Sequence, residues 1–141
     1  MSFLKKLFNH THTYKGDINM TNKDKALALI NTFATGDTDA AKNLLAEGYI
    51  QHNTGIADGL SGLGAALEAL GKQGIQMIYD QTYQVLADGN YGLAVSEGSF
   101  GGAHTSYYDL FRVENGKIVE HWDVMETIAD KSTWQNQNGK F

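Results

Sequence analysis

Apolar residues recur with a helical period in the first half of the chain and with a period of two in the second half. An apolar stripe from Ala26 to Phe33 predicts a helix that Thr21 or Asn22 caps and Gly36 ends. A shorter helix is predicted from Thr38 or Asp39 up to Gly48, then a short extended segment over residues 49–53 and a third helix over residues 61–73.

After Gly74 the pattern predicts four consecutive β-strands, over residues 76–87, 91–100, 104–113 and 117–125. Turn residues separate them, and the Asn115-Gly116 pair is a strong signal for a hairpin. Helices followed by consecutive antiparallel strands indicate an α+β fold, a curved sheet folded over about three helices.

The chain has 141 residues, which fits one domain. We expect an N-terminal extension over residues 1–20, a single domain over residues 21–130 and a polar C-terminal tail over residues 131–141. Phe3, Leu4, Leu7 and Phe8 have helical spacing, which predicts a short helix in the extension.

Composition excludes several classes of function. The absence of Cys excludes disulfides, thiolate nucleophiles and zinc–sulfur sites. A formal net charge of −5, with no basic stripe, disfavours nucleic acid as a partner. No apolar run reaches the 18 or so residues that a membrane span needs, so we expect a soluble, cytoplasmic protein that binds no membrane.

Alternation along the last two strands places ionisable and apolar side chains on one face. Tyr107, Asp109 and Phe111 share a face of the first strand, and the hairpin brings them near Val119, His121 and Asp123 of the second. An imidazole between carboxylates in an apolar surrounding is typical of a small-molecule pocket and is suited to acid–base chemistry.

Other interpretations of these residues stay open. A His–Asp pair on a strand is also found as a satisfied polar pair at a sheet end or subunit interface. His52, His121, Asp109 and Asp123 could form a metal-binding set, but they match no known ligand spacing. The opposite face carries Trp122 and Tyr108, with Arg112 and Glu120 as candidate cross-strand partners, and is either a dimer face or solvated.

Three segments carry a family resemblance: Tyr49-Ile-Gln-His-Asn53, Asp58-Gly59, and Asp109-Leu-Phe-Arg112 through Gly116-Lys-Ile-Val-Glu-His-Trp-Asp-Val124. With them, residues 22–128 resemble the SnoaL-like polyketide cyclase branch of the nuclear transport factor 2-like superfamily. The resemblance implies a cone-shaped sheet closed by three helices, a pocket at one end and a homodimer. Known activities in the superfamily include aldol-type cyclisation, ketosteroid isomerisation and epoxide hydrolysis.

The resemblance also implies roles for single residues. His52 matches the position of the isomerase base, Asp109 matches the oxyanion-stabilising acid, and Asp123 is the best match for a cyclase base. The chain departs from the family pattern at Thr54, where Pro is common, and at His52, where the isomerases have Asp.

The leading hypothesis is an enzyme that abstracts a proton next to a carbonyl, with no metal and no organic cofactor. Asp123 would be the base, tuned by His121, while Asp109 or His52 stabilises the enolate oxygen. The substrate, a small carbonyl-containing or polycyclic molecule, would contact Asn53, Tyr107, Phe111 and Val119. The alternatives are a non-catalytic ligand-binding or dimerisation module and an epoxide-hydrolase-like enzyme.

Overall fold

The computed structural model describes residues 20–141, apart from the side chain of Phe33. Over this range three α-helices and a five-stranded mixed sheet form an α+β fold. The predicted fold class is therefore confirmed, whereas the predicted N-terminal helix lies outside the described residues. No helix in residues 20–141 is long and apolar enough to cross a membrane.

The first two helices, α1 (Asn22–Thr35) and α2 (Thr38–Leu44), have well-formed caps. Thr21 and Asp24 form a capping box at the start of α1, and Gly36 ends the helix with a φ of 72°. Asp37 then caps α2 through its side chain. Capping residues adjacent to apolar stripes explain why the sequence placed these helix starts correctly.

The structure corrects the predicted end of α2. The helix stops at Leu44, and Leu45 already has extended backbone angles because it starts the strand β1 (Leu45–Gln51). This strand pairs in parallel with the last strand of the sheet, and Leu45 lies opposite Ile118. Sheet pairing and core burial outweigh the helical spacing of the apolar residues here.

The remaining elements are α3 (Gly59–Lys72) and the strands β2 (Met77–Asp88), β3 (Tyr91–Phe100), β4 (Ala103–Glu114) and β5 (Lys117–Thr127). Strand order in the sheet is β1-β5-β4-β3-β2. The last four strands form an antiparallel meander, so β1 and β2 are the two edges of an open sheet.

A β-bulge near the start of β5 changes which side chains face the core. Arg112 pairs with Glu120 and Val113 pairs with Ile118, so Val119 is the extra residue of the bulge. Ile118 is fully buried in the core, and the inward alternation resumes at His121. The prediction that Val119 shares the face of His121 and Asp123, with Ile118 opposite, was therefore wrong.

The core lies between α1 and one face of the sheet. Gly92 on β3 lets α1 approach closely, since a Cβ at this position would meet Ala26 and the backbone of Asn22 at 3.1 Å. The fully buried apolar residues of this layer include Ala26, Leu29, Ile30, Ala94, Phe111 and Ile118.

Candidate active site

Three ionisable side chains converge on the helix-covered face of the last two strands. Asp109 on β4 lies directly opposite Asp123 on β5, and Phe111 lies opposite His121. The donor and acceptor atoms of Asp109, His121 and Asp123 all lie within 4.8 Å of one another. The hairpin pairing predicted from the sequence is thus confirmed, and we call these three side chains the acid–base cluster.

Asp109 is the most deeply buried member of the acid–base cluster, with 1% of its surface exposed. Its Oδ1 lies 2.9 Å from His121 Nε2, and its Oδ2 accepts a hydrogen bond of 3.1 Å from the Tyr79 hydroxyl. Burial raises the pKa of Asp109, while the hydrogen bond and charge of His121 and the bond from Tyr79 oppose this rise. The carboxyl group therefore holds its proton more readily than an exposed aspartate does.

A neighbouring amide fixes the protonation of the His121 ring. Gln51 Oε1 accepts a hydrogen bond from the backbone N–H of Asn53 at 3.0 Å, so the oxygen end of this amide is identified. The same oxygen lies 3.0 Å from His121 Nδ1, which must therefore carry a proton. Gln51 Nε2 donates to the Tyr49 hydroxyl at 3.3 Å, in agreement with this orientation.

A single proton then remains to be placed between His121 Nε2 and Asp109 Oδ1. It lies either on the ring, as an imidazolium facing a carboxylate, or on the acid, which then donates to a neutral ring. Both arrangements keep Nδ1 protonated. Asp109 and His121 are therefore a buried pair that holds one exchangeable proton.

Asp123 is held by an asparagine and not, as predicted, by His121. Its Oδ2 accepts a hydrogen bond of 2.8 Å from Asn53 Nδ2, and Asn53 Oδ1 in turn accepts from the backbone N–H of Gly55 at 3.0 Å. Within residues 20–141, no Lys or Arg forms an ion pair with Asp109 or Asp123. Asp123 is half-buried and is therefore an oriented carboxylate without a basic partner.

Two stacked tyrosines complete the polar wall. The rings of Tyr79 and Tyr107 lie 4.2 Å apart, and the Tyr107 hydroxyl donates to the Ser99 carbonyl at 2.7 Å. Burial raises the pKa of Tyr107 to about 12 and, together with Asp109, raises the pKa of Tyr79 as well. Both phenols therefore stay protonated near neutral pH, and Tyr79 is a hydrogen-bond donor next to the acid–base cluster.

The acid–base cluster faces a small cavity of about 40 Å³. Aromatic and aliphatic side chains surround the polar groups, and Phe111 stacks on the His121 ring at 4.9 Å between centroids. The lining residues are Leu29, Leu45, Tyr49, Gln51, Ile56, Leu63, Met77, Tyr79, Asp109, Phe111, His121 and Asp123. A few convergent polar groups in an apolar cavity are the usual composition of a small-molecule site.

His52, predicted as a catalytic residue, lies outside the acid–base cluster. Its backbone N–H bonds to the His121 carbonyl at 2.9 Å, and because adjacent strand residues face opposite ways, Gln51 faces the cavity and His52 the other face. There the His52 ring stacks on Trp122 at 4.6 Å and lies 2.8 Å from Glu120 Oε1.

The opposite face of the sheet carries the predicted ion pair. Arg112 Nε donates to Glu120 Oε2 at 2.7 Å across β4 and β5, which confirms these two residues as cross-strand partners. Two hydrogen bonds from His52 and Arg112 lower the pKa of Glu120. These contacts satisfy His52 on the surface of the sheet.

Of the predicted ligand-contacting residues, Phe111 lines the cavity, Asn53 orients Asp123, and Tyr107 supports Tyr79 from behind. Val119, displaced by the bulge, is not among the lining residues. Sequence reasoning missed Gln51 and Tyr79. Gln51 belongs to the Tyr49–Asn53 segment already singled out, and only the parallel pairing of β1 with β5 places it beside His121.

The acid–base cluster also offers three possible ligand atoms to a divalent cation. However, both ring nitrogens of His121 and both oxygens of Asp109 take part in hydrogen bonds. A cation could enter only by replacing the hydrogen bond between His121 and Asp109. As it stands, the geometry favours a shared proton at this position.

The chain is therefore an α+β domain in which a mixed sheet and its covering helices enclose a cavity lined by the acid–base cluster. Residues 26–121 match the model of the SnoaL-like domain, and the chain belongs to this family. No curated protein matches the chain significantly.

Solved structures share the fold at low sequence identity. An NTF2-like protein of unknown function from Cytophaga hutchinsonii has a TM-score of 0.65 and 19% identity, over 77% of this chain and 92% of that one. IdmH, a candidate polyketide cyclase from Streptomyces antibioticus, has a TM-score of 0.59 and 20% identity, over 76% and 93%. A candidate polyketide cyclase from Sinorhizobium meliloti has a TM-score of 0.62 and 16% identity, over 78% and 100%.

Proposed function

We propose that this chain is an enzyme that moves a proton next to the carbonyl group of a small organic molecule. One observation carries the proposal: Asp123, a carboxylate with no basic partner among the described residues, lies within 4.8 Å of a buried pair that holds one exchangeable proton. A base and a proton donor are thus held on the same cavity wall.

In the proposed reaction Asp123 removes a proton from the carbon next to the carbonyl. The C–H bonding electrons move into the new C=C bond, and the carbonyl π electrons move onto oxygen. In that step one donor exchanges its present hydrogen bond for one to the substrate oxygen: either the Tyr79 hydroxyl turns from Asp109 Oδ2, or the shared proton leaves the contact between Asp109 and His121. Asp123 then returns the proton to another carbon in an isomerisation. In an aldol closure the enolate C=C electrons instead form the bond to a second carbonyl carbon, the first C=O re-forms, and the new alkoxide takes the proton from Asp123.

The surroundings of the cavity favour both the hydrogen-bond donors for the oxyanion and the base, Asp123. Hydrogen-bond donors next to a developing negative charge stabilise it more in a largely apolar cavity than on a surface. Asn53 holds Asp123 through one oxygen and leaves the other available to the substrate. The candidate cyclases that share the fold agree with this chemistry. The homodimer implied by the family resemblance and the cytoplasmic location expected from the sequence stay predictions.

The test is hydrogen exchange at carbon. Purified protein is incubated in D₂O with a panel of ketones and 1,3-diketones, and the loss of α-proton signal is followed by NMR. We expect exchange above the buffer rate for at least one compound, reduced by roughly 10²–10⁴-fold in Asp123→Asn. Asp88→Asn, an exposed aspartate at the end of β2, is the matched control and should exchange as the wild type does.

Failure of this test has a definite meaning. If compounds that bind show no exchange above buffer, or if Asp123→Asn exchanges as fast as the wild type, the proposed enzyme is wrong. Unchanged ligand affinity in Asp123→Asn, with no turnover, would then favour a non-catalytic binding module.

A hydrolase is the second candidate, because the cavity could hold a water molecule beside the two carboxylates. Its volume of about 40 Å³ exceeds the 10–15 Å³ or so that one water needs, and polar partners line it. Incubation with small epoxides in ¹⁸O-water separates the two reactions. Incorporation of ¹⁸O that is lost in Asp123→Asn supports hydrolysis, whereas carbon-bound deuterium supports proton transfer.

A further inference from the structure

A second, larger cavity lies between the helices. This groove has a volume of about 380 Å³ and separates α3 from the end of α1 and from α2. Leucines at helical spacing on α3 form its long wall: Leu60, Leu63, Leu67 and Leu70. None of the four is fully buried, because α3 has its main contacts with β1.

The interhelical groove and the cavity of the acid–base cluster share two wall residues. Leu63 from α3 and Met77 from β2 line both spaces. They therefore form a partition of two flexible apolar side chains between a polar site and an apolar groove. Unbranched Met is well suited to such a position because its three rotatable bonds allow it to move aside.

The sizes of the two spaces suit different parts of one molecule. A cavity of about 40 Å³ holds little more than a carbonyl group or a water, whereas small-molecule sites usually measure about 300–1,000 Å³. At roughly 30 Å³ per water-sized group, the groove of about 380 Å³ has room for about a dozen non-hydrogen atoms. Asp37 and Lys42 are its only charged lining residues among those that the structure describes.

We infer that the interhelical groove holds the apolar body of the substrate whose carbonyl end reaches the acid–base cluster past Leu63 and Met77. This inference rests on the proposed function and deepens it, since it names the substrate class. The substrate is an amphipathic carbonyl compound with about a dozen apolar non-hydrogen atoms and its reactive carbonyl at one end. Leu63 and Met77 are then specificity-determining residues for the width of the molecule at the partition.

The first test measures affinity along a homologous series. Straight-chain methyl ketones from 2-butanone to 2-tridecanone are titrated into the full-length protein, and their dissociation constants are measured by ligand-observed NMR. Each added methylene that enters the groove is expected to tighten binding by about 4-fold. The gain should end near a dozen non-hydrogen atoms, where the groove is full.

A groove-filling variant supplies the second test. Gly64 on α3 lines the groove, and a Cβ at this position meets no atom within 4 Å, so Gly64→Leu fills the groove without disturbing the backbone. Replacing a helical glycine also favours the helix, so the melting temperature should stay equal or rise. We expect Gly64→Leu to weaken 2-undecanone binding by at least about 30-fold and 2-butanone binding by less than about 3-fold. Ala65→Leu, on the exposed side of the same helix, is the matched control and should bind as the wild type does.

Three outcomes would overturn the inference. Affinity that does not depend on chain length, or equal binding of 2-undecanone by Gly64→Leu and Ala65→Leu, would show that the groove holds no ligand. Chain-length dependence that is absent in the wild type and appears only in the full-length double variant Leu4→Ser/Leu7→Ser would show that the N-terminal segment, and not a ligand, occupies the groove. These binding results are independent of deuterium exchange, so a filled groove without exchange refutes only the proposed catalysis.

Discussion

The buried Asp109 carboxyl depends on the His121 imidazole, and replacing His121 by Phe separates the two. Phe keeps an aromatic ring against Phe111 but provides no hydrogen-bond partner for Asp109 Oδ1. Burial already raises the pKa of Asp109, and the opposing effect of His121 disappears in the variant. Since only 1% of Asp109 is exposed, losing this partner makes the charged form still more costly, and the acid takes up a proton more readily.

The free-energy cost of keeping Asp109 protonated sets how much stability His121→Phe loses and how this loss depends on pH. An unfolded aspartate has a pKa of about 3.9, so keeping it protonated in the fold costs about 1.5 kcal/mol at pH 5 and about 4 kcal/mol at pH 7. The folded-state pKa of Asp109 is raised, so its contribution to stability is fully present below about pH 4 and is lost as pH rises. The free energy of unfolding of His121→Phe should therefore fall by up to about 1.4 kcal/mol per pH unit between pH 4 and pH 7.

The double variant His121→Phe/Asp109→Asn isolates this effect, because Asn stays neutral at every pH. We expect the second substitution to raise the stability of His121→Phe by about 3–4 kcal/mol at pH 7 and to change it little at pH 4. Urea unfolding followed by tryptophan fluorescence measures both, with circular dichroism as the control for folding. If Asp109→Asn adds no stability at pH 7, or if the stabilities of the two variants depend equally on pH, Asp109 does not rely on His121 for its charged form.

Three further substitutions test other parts of the structure. Tyr79→Phe removes a hydrogen bond that lowers the pKa of Asp109, so that pKa should rise, and urea unfolding should show a loss of about 1–3 kcal/mol that grows from pH 5 to pH 8. Gly98→Ala places a Cβ 1.8 Å from the Ile78 carbonyl, and a thermal melt should show a loss of about 3 kcal/mol, since no flexible side chain can move aside. His52→Ala should leave α-proton exchange at the wild-type rate, since His52 lies on the other face of the sheet. A large loss of exchange rate would show that His52 takes part in the reaction.

The order of elements and the pairing of the last hairpin could be predicted because local signals determine them. The change of period after Gly74 separates helices from strands, and the two-residue turn at Asn115-Gly116 fixes the register. Asp109 therefore lies opposite Asp123, as counting from the turn suggests. Such counting cannot predict the bulge at Val119, because one extra residue moves its neighbours to the opposite face and leaves no signal in the residue types.

The partners of the site residues could not be predicted, because distant segments supply them. Gln51 reaches His121 only through a parallel pairing between the first and last strands, and Tyr79 comes from the opposite edge of the sheet. Strand alternation states which face a residue occupies but not which residue of another strand lies beside it. The sequence therefore identified the carboxylates and the imidazole. The structure gives them other hydrogen-bond partners: Asn53 holds Asp123, and His52, one of the two residues predicted to stabilise the oxyanion, lies on the other face of the sheet.

The parallel pairing of β1 with β5 also has a consequence for how the site assembles during folding. The meander from β2 to β5 is built from consecutive hairpins, whose loops are short and close at low entropic cost. The contact between Gln51 and His121 closes 70 residues of chain, so it belongs to the slow, non-local part of the folding reaction. A folding intermediate with only the meander formed would already contain Asp109 and His121, but not the amide that fixes the imidazole tautomer. The acid–base cluster thus reaches its final protonation pattern only when the first strand docks.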